Sequence, residues 1–150
     1  MAKKDIDIKI TIEDNSDIVI DEMNRDVERA LYASGVLIQE GATRAISGQY
    51  GEEYHAVDTG RLRASISFIT PEHTENTLPN DAPQQSSVND LLSGKADKNS
   101  VIFGSNVEYA SFVENGTERG MTKRPFLRKG VDIKTPEIEK KVQSIFKGEL

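Results

Sequence analysis

Between Asp21 and Ser47 the residues Val27, Leu31, Ser34, Ile38, Ala42 and Ala45 recur at steps of four, three, four, four and three. That spacing puts them on one stripe of an α-helix, and its length commits the chain to a fold organised around one long helix. Asp21 is placed to cap the N-terminus and Gly48 to stop the C-terminus. Gly35 and Gly41 each weaken a helix interior by about 1 kcal/mol relative to Ala, which predicts that another element packs closely there. The opposite face, with Glu28, Arg29, Gln39, Glu40 and Arg44, is expected to stay in water.

The other elements arrange themselves around this helix. Residues 5–12, DIDIKITI, alternate isoleucine with polar residues, the period of a half-buried strand. Asp58-Thr59-Gly60 is a turn signal, and Ser65 to Thr70 alternates again as a strand, with Arg61 and Arg63 two apart on one face. From Pro71 to Ser100 the composition turns to Asn, Asp, Gln, Ser and Pro without aromatics, which predicts a flexible loop. VIFGS at 101–105 resumes a strand, so the loop becomes the tip of an antiparallel hairpin. Excising residues 75–98 is then expected to leave the fold intact. Ser105-Asn106-Val107-Glu108 has capping-box spacing and opens a short helix with Tyr109, Phe112 and Val113 on its apolar face, ended by Gly116. Thr135 and Pro136 open a last helix with Ile138, Val142 and Ile145 in one stripe. The expected fold is a single α+β domain spanning 1–150. A small, mainly antiparallel β-sheet packs against the long N-terminal helix, with a long flexible hairpin loop and two shorter C-terminal helices.

Composition excludes several classes of function. The chain has 150 residues, a net charge of −6 and no cysteine, which rules out disulfides and thiolate chemistry. The start, MAKKDIDIKI, turns acidic at Asp5, so no signal peptide is expected. No window approaches the run of about 18 apolar residues that spans a membrane. His55 and His73 stand in separate loops without a ligand at metal spacing. No serine sits in a Gly-x-Ser-x-Gly elbow, and GTERGMTK at 116–123 lacks the Gly-Lys-Ser/Thr ending of a phosphate cradle. Asp58 has the position of a general base, but the reading as a turn-forming aspartate ahead of Arg61 outweighs it several-fold. Neither an enzyme nor a cofactor is expected.

The densest stretch is EYASFVENGTERGMTKRPF, residues 108–126. Within 119–129 the cations Arg119, Lys123, Arg124, Arg128 and Lys129 have no acid among them, a footprint that suits phosphate or an acidic protein surface. A nucleic-acid-binding accessory protein is therefore the alternative reading. The net charge of −6 weighs against it.

Three blocks stand in order: Asp58-Thr59-Gly60 with Leu62 and Ser65, then Tyr109-Ala110 with Glu114, Gly116 and Thr117, then Arg124-Pro125-Phe126-Leu127. In this order and spacing, over residues 20–146, the chain resembles the tail-completion and head–tail joining family of tailed bacteriophages. The resemblance implies a structural virion protein of the neck or tail end, made in the host cytoplasm. It would form a ring, six copies by family analogy, between the tail tube protein and a head-connector or stopper protein. DNA would pass through without specific binding, which a negative net charge suits, and no membrane is involved. Arg61, Arg119, Lys123, Arg124 and Arg128 become candidates for contact with another subunit. Asp58, Thr59, Gly60, Tyr109, Glu114, Gly116, Thr117, Pro125 and Phe126 become the motif residues that shape the fold.

Overall fold

The computed structural model describes residues 13–56 and 60–149. Its elements are α1 (Ser16–Ile46), α2 (Arg61–Ser65), β1 (Ser67–Ile69), β2 (Ile102–Gly104), α3 (Ala110–Asn115) and α4 (Phe126–Lys147), with single 3₁₀ turns at Glu52–Tyr54 and Val88–Asp90. The architecture is α+β, as the sequence implies. The predicted Ile-rich strand at 5–12 lies outside the described residues, as do Asp58 and Thr59.

Helix α1 starts six residues earlier than a cap at Asp21 suggests. Asn15 is its N-cap, and the Asp14 carboxylate accepts the Ser16 N–H at 2.9 Å. The early start follows from the sequence itself, because the apolar stripe continues backwards as Ile20 and Met23 with no Gly or Pro to stop it. The other end closes where expected. Gly48 takes φ +81°, its N–H bonds Ala45 C=O at 2.9 Å, and Gln49 N–H bonds Arg44 C=O at 3.0 Å, a Schellman closure.

Helices α1 and α4 make the largest interface among the described elements, and glycine makes it possible. A Cβ on Gly41 would meet Gly130 O at 2.6 Å, and one on Gly130 would meet Ala42 N at 2.4 Å. The two backbones therefore touch. A Cβ on Gly35 would fall 2.1 Å from Phe68 Cδ2, so the aromatic ring of β1 lies directly on the helix. Both interior glycines of α1 thus mark close approach.

Helix α4 departs from the expected boundaries. It begins at Phe126, not Thr135, and runs through Pro136. Thr135 does not cap; its hydroxyl donates back to Val131 C=O at 2.7 Å. Pro136 removes one ladder N–H, but both halves of the helix are fastened, by Gly130 against α1 and by buried Ile145. The expected stripe holds, with Ile145 buried and Ile138 and Val142 half-buried.

Strands β1 and β2 pair antiparallel in the register Ser67↔Gly104, Phe68↔Phe103, Ile69↔Ile102, so the hairpin is real but short. Every residue from Ala64 to Thr70 is buried, which the polar–apolar alternation did not suggest. Ser67 Oγ accepts Leu92 N–H at 2.9 Å, and Ser65 Oγ donates to Leu62 C=O at 2.6 Å. Residues of the 71–100 loop therefore cover the face assigned to water. Leu91, 2% exposed, and Ala96 are part of the core, and Asn106 N–H bonds Asp90 C=O at 2.8 Å. Excising 75–98 would remove these supports, so the fold is expected to lose stability rather than stay intact.

The main core cluster joins Ala42, Ala45 and Ile46 of α1 to Leu62, Ile66, Val107, Ala110 and Phe126. Three residues of the supposed wet face of α1 are engaged as well. Gln39 Nε2 donates to Ile66 C=O at 2.8 Å, the Thr70 hydroxyl donates to Glu28, and Glu40 pairs with Lys134 at 3.4 Å. Arg29 and Arg44 remain exposed.

Candidate functional site

Gly60 adopts φ +86° and starts the single helical turn α2, with Ala64 N–H on Gly60 C=O at 2.9 Å. Arg61 and Arg63 therefore lie on a helix, not side by side on a strand. Arg61 turns inward. Its Nη2 and Nε donate to the two oxygens of Asp90 at 2.8 and 3.0 Å, Nη1 and Nη2 reach Glu108 at 3.2 and 3.3 Å, and the guanidinium lies 5.9 Å from the Tyr109 ring centre. Asp90 Oδ2 also accepts Ser87 N–H at 3.0 Å, completing a capping box with Ser87. The capping box thus sits inside the loop rather than at Ser105–Glu108, where α3 has no side-chain cap. The Arg61 guanidinium is the main cause that holds the Asp90 carboxyl below the usual carboxylate range. Glu108 is lowered first by its own backbone N–H and then by Arg61, and Arg61 itself is raised by both partners. One arginine fastens α2, the loop and the approach to α3 together. Of the five candidate contact residues, Arg61 is the one the fold itself occupies.

The connection from α3 to α4 is built by the motif residues. Gly116 takes φ +74° and stops α3; a Cβ there would fall 2.7 Å from Met121 O. Thr117 closes a tight turn, its N–H on Met121 C=O at 3.0 Å and its Oγ1 accepting Met121 N–H at 3.1 Å. The chain then returns, with Arg124 N–H on Val113 C=O at 2.7 Å, and Pro125 is the N-cap of α4. Glu114 accepts Leu127 N–H at 2.9 Å and Arg128 N–H at 3.2 Å, satisfying two of the free donors at the start of α4. Phe126 drops into the core, fully buried.

This geometry turns Arg119, Lys123, Arg124 and Arg128 outward, all exposed, with Met121 at 51% exposure among them. Lys129 is half-buried, its Nζ 5.1 Å from the Tyr54 ring centre. Tyr109 and Val113 pack on the core as expected, but Phe112 does not. It is 52% exposed and points away from it. His55 is exposed, and His73 is taken up in ring contacts with Phe68 and Tyr32 at 4.9 Å. Among the described residues no group of three His, Cys, Asp or Glu could hold a metal ion, and no helix is long and apolar enough to cross a membrane.

The family described as "Bacteriophage HK97-gp10, putative tail-component" matches residues 11–116, most of the chain. The chain belongs to the HK97 gp10-like family. The match runs from the approach to α1 through Gly116, so it takes in the first block and nearly all of the second. No curated protein and no solved structure matches the chain at a significant level. In this HK97 gp10-like chain the capping role of Glu114 is one of the features that sequence reasoning missed. A signal was present: a carboxylate ten residues ahead of an Arg-Pro-Phe step, across a glycine-closed turn, is in reach of the new helix.

Proposed function

We propose that the chain is a structural subunit of the phage neck or tail end, forming a ring that completes the tail and joins it to the head. Membership of a tail-component family supports the coarse part of this reading and a place in the virion. The observation that carries the ring is the surface. A closed head-to-tail assembly needs two different, complementary faces on each subunit. The chain has two: the exposed cationic turn between α3 and α4, and the first turns of α1, whose residues from Glu13 to Arg25 are all exposed. Further copies of the chain, six by the family analogy, the tail tube protein and a head-connector or stopper protein are the partners of this reading. No residue is assigned a catalytic role. Mass measurement and electron microscopy of the purified protein, alone and with tail tubes, test it. Discrete rings, free or on tube ends, are expected; a chain that stays monomeric in both conditions would overturn it.

A second reading has one observation in its favour, the exposure of Arg119, Lys123, Arg124 and Arg128 together. If that segment grips phosphate, DNA binding falls steeply with salt and is lost on replacing Arg124 and Arg128 with alanine. No such complex is expected at physiological salt.

A further inference from the structure

The apolar stripe of α1 does not end where the body of the protein ends. The spacing that buries Ile38, Ala42 and Ala45 runs back through Leu31 and Val27 to Met23 and Ile20. Around Asn24 to Leu31 the helix is still flanked by the ends of the loop and by the last turns of α4. Beyond that, Met23 is 57% and Ile20 52% exposed, with Ile18 and Val19 equally open. A stripe cut for burial is left exposed along the first two turns. Its flanks are acidic: residues 13–25 carry Glu13, Asp14, Asp17, Asp21 and Glu22 against the single cation Arg25.

The opposite end of the molecule carries the complement. Residues 117–129 hold Arg119, Lys123, Arg124, Arg128 and Lys129 against the single acid Glu118, with Met121 exposed among them and Phe112 exposed on the preceding α3. Gly130, which follows directly, packs on Gly41. The cationic segment therefore sits about 30 Å along α1 from Ile20, at 1.5 Å per residue. A chain cannot bring these two surfaces together within itself. A second copy can, and the contact it makes uses different faces on the two partners.

We propose that the acidic, apolar first turns of α1 (residues 16–25) dock on the cationic α3–α4 turn (residues 117–128) of a neighbouring copy, as the head-to-tail contact between subunits. This deepens the ring reading and rests on it. Opposite charge steers and orients the encounter, and burial of Ile20 and Met23 against Met121 and Phe112 supplies the apolar part. The geometry is heterologous, so it continues from copy to copy until a ring closes.

Cysteine pairing on the full chain tests the proposal, since the chain has no native cysteine. Ile20→Cys and Met121→Cys proteins, mixed at high concentration and on purified tail tubes, are expected to form a disulfide between the two variants. Neither should do so with itself. One chain carrying both is expected to give a ladder of multimers, because a disulfide needs Cα atoms within about 7 Å and cannot bridge the two sites inside one copy. A charge exchange is the second arm. Asp21→Lys with Glu22→Lys, and separately Lys123→Glu with Arg124→Glu, should each weaken self-association on the order of tenfold or more, and the two sets combined should restore it. Circular dichroism confirms that each variant is folded. Arm-to-arm or turn-to-turn disulfides, no disulfide at all, or no rescue would each overturn the pairing. Rings that form with a different crosslink pattern would overturn this contact and leave the ring reading standing. A chain that stays monomeric on tail tubes would overturn both.

Discussion

The two ends of α1 carry the same periodic stripe and meet opposite fates. Near its C-terminus Ile38 is buried and Ala42, Ala45 and Ile46 pack with residues of α2, α3 and α4, with Gly41 in backbone contact with Gly130. Near its N-terminus Ile20 and Met23 occupy the same helical face and are exposed. Periodicity establishes that a face is apolar; it says nothing about whether the cover comes from the same chain or from another. Charge adds what periodicity lacks. The buried end is ringed by elements that are tied by hydrogen bonds, whereas the open end carries acids with few partners among the described residues.

Substitutions at the two ends should separate folding from assembly. The largest effect is expected for Phe126→Ala, which empties the fully buried anchor of α4 and should cost about 3–5 kcal/mol in denaturant unfolding. Gly130→Ala places a Cβ within 2.4 Å of Ala42 N and should cost about 1–3 kcal/mol, with the α1–α4 interface opened. An unchanged midpoint for either would break the comparison at its packed end. Glu114→Ala removes the cap of α4 and should cost about 1 kcal/mol. Met23→Ser and Ile20→Ser should shift stability by no more than about 0.5 kcal/mol while impairing assembly on tail tubes. A large loss of stability from these two would show that the open end is covered within the chain.

The Arg61 network adds a pH signature to the packed end. The folded pKa values of Asp90 and Glu108 lie below their ordinary values, so the folded state favours their charged forms. The stability they contribute is complete above the unfolded pKa values of about 4 and is lost as the pH falls through the lower folded values. Thermal unfolding followed from about pH 6 down to pH 3 should therefore show falling stability at the acid end, and Asp90→Asn should flatten that fall. At neutral pH the same substitution should cost about 1 kcal/mol, the Glu108 side of the network being open to solvent screening.

How much was legible depended on how local the physics was. The stops at Gly48 and Gly116 follow from backbone rules that act within a few residues, and the close approaches at Gly35 and Gly41 and the β1–β2 pairing were signalled by local pattern although their partners lie far along the chain. The misread features needed a partner far along the chain. Ser65 and Ser67 look like the wet side of a strand, yet Ser105 and the loop near Leu92 cover them. Thr135-Pro136 looks like a helix start, yet Glu114 and Phe126 had already begun the helix. The 71–100 loop looks too polar to be structured, yet its Asp90 pairs with Arg61, 29 positions away.

The sequence by itself determined that one long amphipathic helix would organise the chain, that a hairpin would pair across a polar excursion, and that a short helix would end at Gly116. Those are consequences of side-chain period, of backbone freedom at Gly and of its restriction at Pro, and none needs a third dimension. Tertiary structure alone decided which polar groups are occupied and which apolar ones are left over. It closed Arg61 on two carboxylates, hid the strand serines, and left Ile20 and Met23 open at one end of a helix whose other end is packed to backbone contact. The reason is physical: satisfaction of a polar group and burial of an apolar one are properties of pairs, and most of the pairs here join residues dozens of positions apart.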